Sequence, residues 1–281
     1  MNFSRSLPDW LDLSGRVVVV TGGGGLLGSQ HAEVIAELGG HPVLVDLKID
    51  QSHELVEGIQ QKYGVSALAV AADITSEDAV REVLNTVIKS YGRVDGLINN
   101  AANNPKVESG ENSDSSWSRL ESYPLNLWAQ DLAVGLTGAL ICSRAIGSHM
   151  ALQGHGVIIN IASDLGVIAP DQRIYADPEM PVEQQPVKPV SYSVVKHGII
   201  GMTKYLATYW ADSGVRVNAI SPGGIYNDQP EDFVQRLTNL IPVGRMARHD
   251  EYKGTIAFLL ADASSYMTGA NVVVDGGRTV W

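Results

Sequence analysis

Cysteine is almost absent from this sequence: Cys142 is the only one among 281 residues. A single thiol excludes an internal disulfide and a cluster of thiolate metal ligands. Cys142 lies in the apolar run LICSRA, which is typical of a small buried side chain. His149, His155 and His197 lack a partnered set of ligands with zinc-like spacing, so no metal site is predicted.

Long apolar runs and an excess of positive charge are also missing. No stretch approaches the roughly 18 uninterrupted apolar residues that a membrane-spanning helix needs. The N-terminal residues MNFSRSLPDWLDLSGR have no apolar core with a small-residue cleavage site, so we expect a cytoplasmic protein. A net charge of -11 and a pI near 5.0 argue against nucleic acid or an anionic membrane as the main partner.

The sequence instead contains apolar strands that alternate with amphipathic helices. This alternation is typical of βαβ units, which build a parallel sheet covered by helices on both faces. No repeat and no linker divides the chain, so one doubly wound α/β domain over residues 1–281 is predicted. The seven predicted strands are 16–21, 41–46, 66–73, 94–101, 156–163, 215–221 and 270–275. The predicted helices lie near 26–38, 51–63, 76–91, 126–152, 192–212 and 249–261. Residues 103–124 and 169–190, rich in polar residues or in proline and charge, are predicted to be surface loops.

A glycine-rich turn, TGGGGLLG (21–28), follows the first predicted strand and opens a helix. Glycine lets the backbone approach a pyrophosphate closely, and the helix N-terminus offers free N–H groups and a favourable dipole. The turn therefore predicts a dinucleotide site, with a flexible loop as the alternative. Its predicted cofactor contacts are Gly22, Gly25, Leu27 and Gly28.

Asp46 ends the second predicted strand, about 20 residues further on, where a carboxylate would bond the adenosine ribose hydroxyls. Its charge would repel a 2′-phosphate and no arginine lies beside it in VDLKID, so NAD is favoured over NADP. Lys48 leaves room for phosphate binding, and a plain strand-end role for Asp46 is the alternative.

The strongest chemical signal is YSVVK (192–196), which opens a predicted helix. Tyr192 and Lys196 lie four residues apart and so project from one helix face. A free phenol titrates near pH 10, roughly, but an adjacent ammonium favours the phenolate, which lets Tyr192 exchange a proton with a substrate. Ser163 ends the fifth predicted strand, at the sheet edge where open α/β sheets bind ligands, and its hydroxyl would bond the substrate oxygen. The alternative for Tyr192 and Lys196 is a solvated helix face, and the alternative for Ser163 is a serine that caps the strand end.

From about residue 12 to its C-terminus the chain resembles the short-chain dehydrogenase/reductase family, with its single Rossmann domain. The motifs that carry the resemblance are TGGGGLLG, LVD, AADI (71–74), NNAA (99–102), NIAS (160–163), YSVVK, SPGGI (221–225) and VDGG (274–277). The resemblance implies catalysis by Ser163, Tyr192 and Lys196, with Lys196 also bonding the nicotinamide ribose. It implies further cofactor contacts from Asp73, Ile74, Asn99, Pro222, Gly223 and Ile225. Family habit suggests a homotetramer.

Three departures from the family pattern bear on function. Leu26 stands where the middle glycine belongs, so Gly25 is expected to take that duty. Gly135 replaces the helix asparagine that completes the family's proton relay, which puts the relay in doubt. The segment 169–190 adds residues between Ser163 and Tyr192 and is interpreted as an inserted substrate loop.

The polar side chains of that loop suit hydroxyl- or phosphate-bearing ligands better than a steroid or an acyl chain, so a sugar or sugar nucleotide is expected. They are Asp171, Gln172, Arg173, Glu183, Gln184, Gln185 and Lys188. A solvent-facing loop with no substrate contact is the alternative. The loop is also loosely similar to one in family members linked to bacterial surface-glycan and flagellin modification. The sequence therefore predicts reversible hydride transfer between NAD and a secondary alcohol or ketone of a small polar substrate. The alternatives are an NAD-binding sensor with a weakened relay and a 3-oxoacyl-carrier-protein reductase.

Overall fold

Seven parallel strands form one sheet at the centre of the computed structural model, which describes residues 6–103 and 116–281. The strands are β1 (Val17–Thr21), β2 (His41–Asp46), β3 (Leu68–Ala71), β4 (Gly96–Asn99), β5 (Gly156–Ile161), β6 (Val215–Pro222) and β7 (Asn271–Val274). Their order in the sheet is β3-β2-β1-β4-β5-β6-β7. All seven predicted strands are therefore present, and the doubly wound α/β fold is confirmed.

Helices connect the strands and cover both faces of the sheet. They are α1 (Leu7–Leu11), α2 (Leu26–Glu37), α3 (Asp50–Tyr63), α4 (Glu77–Tyr91), α5 (Leu125–Gln153), α6 (Val190–Tyr209), α7 (Glu231–Thr238) and α8 (Lys253–Leu260). Successive side chains of a strand point to opposite faces. Val17 and Val19 of β1 accordingly join one core, with α4, α5 and α6, while Val18 and Val20 join the other, with α2 and α8.

The helix α5 is long and apolar enough to suit a membrane by length and composition, with a mean hydropathy of 1.3. A core helix can have the same composition. Ile141, Ile146 and Met150 are buried in the core on one face of the sheet, which is where this fold places the helix.

The predicted surface loop 169–190 is only partly exposed. Ile174 and Tyr175 are buried against Phe233 and Leu237 of α7, a helix that the sequence analysis did not predict. The prediction of a surface loop is wrong for these two residues, because α7 gives them an apolar face to cover. Of the other predicted loop, residues 104–115 lie outside the described part of the chain.

Gly135 lies in a π-helical turn of α5, Ala133–Gly138, and packs against Val195 of α6. A Cβ atom added at Gly135 would lie 2.4 Å from Cγ1 of Val195, far inside contact distance. The valine next to Lys196 thus occupies the space that a side chain at position 135 would need.

We predict that Gly135→Asn lowers the free energy of unfolding by about 1–3 kcal/mol, because overpacking forces neighbouring atoms to move. The double variant Gly135→Asn/Val195→Ala should lose less free energy of unfolding than the two single variants lose together, since the smaller side chain at position 195 removes the overlap. Urea unfolding of all four proteins measures this coupling. Strict additivity would contradict the packing argument.

A matched control is Gly58→Ala in α3, where an added Cβ meets nothing within 4 Å. This exposed helix position should be stabilised, by roughly 0.5–1 kcal/mol, since alanine loses less backbone freedom than glycine.

Candidate active site

Ser163, Tyr192 and Lys196 line one cleft of about 400 Å³. Ser163 follows the carboxyl end of β5, and the other two residues lie in the first turns of α6. Pro222, at the end of β6, lines the same cleft with Gly223 and Ile225. The structure therefore brings the three predicted catalytic residues to the edge of the sheet where the sequence analysis expected them.

Lys196 is buried, and its position is set by the strand beside it. Its Nζ donates a hydrogen bond of 2.9 Å to the carbonyl oxygen of Ile161, the last residue of β5. The same Nζ lies 5.7 Å from the ring centroid of Tyr192. Burial is the larger cause and the positive charge of Lys188 the smaller, and together they lower the pKa of Lys196 to about 8.

The hydroxyl of Ser163 is oriented by a buried ion pair that the sequence analysis missed. It donates to Oδ1 of Asp164 at 2.7 Å and accepts from the backbone N–H of Leu165 at 3.2 Å. Oδ2 of Asp164 accepts from Nη1 of Arg278 at 2.7 Å. Arg278 directly follows the VDGG motif, so its position in the sequence could have identified it as a candidate site residue.

Lys188, one of the polar residues that the sequence analysis assigned to the substrate loop, lies at the catalytic cleft. Its side chain is only 8% exposed and lines the cleft. Its Nζ lies 4.1 Å from the ring centroid of Tyr192, nearer than that of Lys196. Two ammonium groups therefore lie within roughly 6 Å of the centre of the phenol ring.

A second cleft, of about 360 Å³, adjoins the first. Among its lining residues are six of the predicted cofactor contacts: Gly22, Gly25, Leu27, Asp46, Asp73 and Ile74. Four residues line both clefts: Leu26, Leu27, Asn100 and Ala102. One elongated ligand can therefore extend from Asp46 to Tyr192.

The glycine turn contains positions at which a side chain would be strained or would clash. Gly22 has a φ of +63°, and a Cβ at Gly28 would lie 2.1 Å from the carbonyl oxygen of Gly22. Gly28 thus allows α2 to pack closely on the turn. It was predicted as a cofactor contact, but it does not line either cleft. Gly25 is the N-cap of α2 and gives its first turn no side-chain hydrogen bond, which suits a helix whose N–H groups bind an anion.

Asp46 is fixed at the edge of the second cleft. Its Oδ2 accepts from the backbone N–H of Gly24 at 3.2 Å, and its Oδ1 accepts from that of Leu47 at 2.8 Å. The carboxylate therefore stays in place beside the glycine turn.

The structure differs from the sequence analysis at Asn99. Its side chain is buried, and Nδ2 donates to Oγ of Ser143 at 2.9 Å and to Oδ1 of Asn160 at 2.8 Å. The neighbouring Asn100 lines both clefts instead. Successive side chains point to opposite sides of a strand, so the side chain of Asn100, and not that of Asn99, lies at the clefts.

We predict that Lys196 loses its proton as the pH rises through about 8 in the cofactor-free protein, because burial depresses its pKa. Replacing Lys188 by Gln removes a like charge and should raise the pKa of Lys196. NMR titration of protein labelled with ¹³Cε-lysine measures both values, with the Lys196 signal assigned from a Lys196→Met spectrum. The exposed Lys89 of α4 is the matched control, since Lys89→Gln should leave the titration unchanged. A Lys196 pKa near that of free lysine would contradict the prediction.

Comparison with known proteins places these features in a family. The short chain dehydrogenase family matches residues 16–176, and the family described as Enoyl-(Acyl carrier protein) reductase matches residues 181–279. The chain is similar to an NADP-dependent mannitol dehydrogenase of Hypocrea jecorina, with 33% identity covering 98% of this chain and 97% of the relative. It is similar to an NAD-dependent glycerol dehydrogenase of Listeria innocua, with 30% identity covering 96% of each chain.

Solved structures agree with this assignment. A gluconate 5-dehydrogenase from Burkholderia cenocepacia, in complex with NADP and tartrate, superposes with a TM-score of 0.85 at 25% identity, covering 98% of this chain and all of that one. The chain thus belongs to the short-chain dehydrogenase/reductase family and is an oxidoreductase that acts on alcohols.

Proposed function

We propose that the protein catalyses reversible hydride transfer between NAD and a secondary alcohol of a polyol or sugar, with Tyr192 as the acid/base. The observation that carries the proposal is the pair of adjoining clefts, with Asp46 in one and Ser163, Tyr192 and Lys196 in the other. Similar proteins that include a mannitol dehydrogenase and a glycerol dehydrogenase support a polyhydroxylated substrate.

The side chains of the first cleft divide the work. A bound nicotinamide would supply the acceptor for the hydride of the carbinol carbon. Tyr192 takes the hydroxyl proton, and Lys196 stabilises the negative charge on the phenol oxygen while bonding the nicotinamide ribose. Ser163 donates to the substrate oxygen after its hydroxyl turns from Oδ1 of Asp164, which accepts that proton in the structure.

Asp46 supports NAD as the cofactor. Its fixed carboxylate would bond two ribose hydroxyls and would repel a 2′-phosphate at the same position. Similar proteins include both NADP-dependent and NAD-dependent members, so the choice depends on residues of this chain.

We also propose a cytoplasmic homotetramer. Tyr205 and Tyr209 of α6 are 64% and 66% exposed and stack with ring centroids 5.9 Å apart, which gives this helix an aromatic face suited to a second subunit. The neighbouring Trp210 is buried in the core. The free thiol of Cys142, which is buried, suits a reducing compartment.

Tyr192→Phe should lower kcat for polyol oxidation by about 10²–10⁴-fold, because it removes the group that takes the proton. NADH formation from mannitol, xylitol and glycerol measures the loss, and a thermal shift should show that NAD still binds. The matched control is Tyr266→Phe, a fully exposed tyrosine, which should retain the wild-type rate. If wild type bound NAD and turned over no member of a broad polyol and sugar panel, the sensor alternative would replace this proposal.

Asp46→Asn should shift the ratio of kcat/KM for NADP to that for NAD upward by about 10-fold or more. The change removes the charge that repels the 2′-phosphate but keeps one oxygen that can accept a hydrogen bond. Asp50→Asn, at the exposed start of α3, is the control and should leave the ratio unchanged. A wild-type preference for NADP would contradict the NAD assignment directly.

A further inference from the structure

The cleft that holds Tyr192 carries a charge opposite to that of the whole protein. The chain has a formal net charge of -11. Among the described residues that line the cleft, however, Lys188, Lys196 and Arg278 are cationic and Asp164 is the one anion. Fixed positive charge gathered in a concave site of an acidic protein favours a negatively charged ligand.

Hydrogen bonds to the backbone hold the segment that carries Lys188 against the cleft. Its backbone N–H donates to Oε1 of Gln172 at 2.8 Å, and Nε2 of the same glutamine lies 3.5 Å from the Lys188 carbonyl oxygen. The preceding Val187 N–H donates to Oγ of Ser118 at 3.0 Å. These bonds fix the backbone immediately before α6, from which the Lys188 side chain reaches the Tyr192 ring.

Arg278 lies on the Ser163 side of the same cleft. Asp164 accepts from Nη1 of its guanidinium, while Nε is buried and has no hydrogen-bond partner among the described residues. The ion pair therefore leaves part of the guanidinium's donor capacity unused. Arg278 is thus linked to Ser163 through Asp164, while Lys188 lies beside the Tyr192 ring, and both cations line the one cleft.

We propose that this cleft binds a polyhydroxylated substrate bearing an anionic group, a carboxylate or a phosphate, and that Lys188 and Arg278 contact that group. The inference rests on the proposed function and narrows its substrate class to sugar acids or sugar phosphates. Both anions accept charge-assisted hydrogen bonds from ammonium and guanidinium groups.

The test compares three probes with a similar chain of hydroxyl-bearing carbons: D-gluconate, mannitol 1-phosphate and neutral mannitol. Wild-type kcat/KM with NAD should be about 10- to 100-fold higher for at least one anionic probe than for mannitol. The better of the two anions identifies the group. Thermal shifts of the NAD-loaded protein with each probe measure the same preference without turnover.

The variant Lys188→Gln should lower the ratio of anionic to neutral kcat/KM by about 10-fold or more, mainly through KM of the anionic probe. The exposed Lys89→Gln changes net charge equally and should leave the ratio at its wild-type value. If Lys188 acted on Tyr192 alone, its loss would lower kcat for charged and neutral probes equally, and this result would overturn the proposal.

Other results separate this inference from the function on which it rests. Efficient oxidation of mannitol with no preference for either anion would overturn the anionic site and leave the proposed function intact. An anion-selective thermal shift that Lys188→Gln removes would support the site, even if none of the three probes were oxidised. Absence of turnover across the wider panel would count against the proposed function instead.

Discussion

The burial of the Lys196 ammonium is the constraint on which the rest of the site depends. A buried charge is costly unless it is hydrogen-bonded, and the carbonyl of Ile161 at the end of β5 supplies that bond at 2.9 Å. Tyr192 lies one helical turn before Lys196, so the same contact holds the phenol at the cleft. Ser163 follows β5 by two residues. One strand end therefore positions all three groups.

The surrounding structure extends this arrangement in two directions. Towards the glycine turn, residues shared by the two clefts connect the phenol to the carboxylate of Asp46. Towards the inserted loop lie Lys188 and the Asp164–Arg278 ion pair. With Lys196 they give the cleft more cationic than anionic side chains, although the whole chain is acidic. In our account, the cofactor binds on the side of the glycine turn, and the substrate binds on the side of the inserted loop.

The sequence predicted the strands well, because β-branched runs in a buried parallel sheet leave a clear pattern. It predicted which strand ends and which helix carry the site, because the motifs lie directly after strands. It missed α7, although Phe233, Val234 and Leu237 after Pro230 gave a helical spacing. It named Asn99, whereas the side chain that lines the clefts is that of Asn100, since a motif does not show which way the last side chain of a strand points. The burial of Lys188 depends on Gln172 and α6, and loop composition does not reveal such tertiary contacts.

The central claim is that a carbon-bound hydrogen leaves a substrate alcohol as hydride beside Tyr192 and reaches the cofactor directly. Its most direct test is the mass of the NADH formed from xylitol, or from the best substrate found, deuterated at its carbon-bound positions. The account predicts NADH heavier by one deuterium, with none of the label lost to water. Unlabelled NADH, or label exchanged into solvent during turnover, would contradict it.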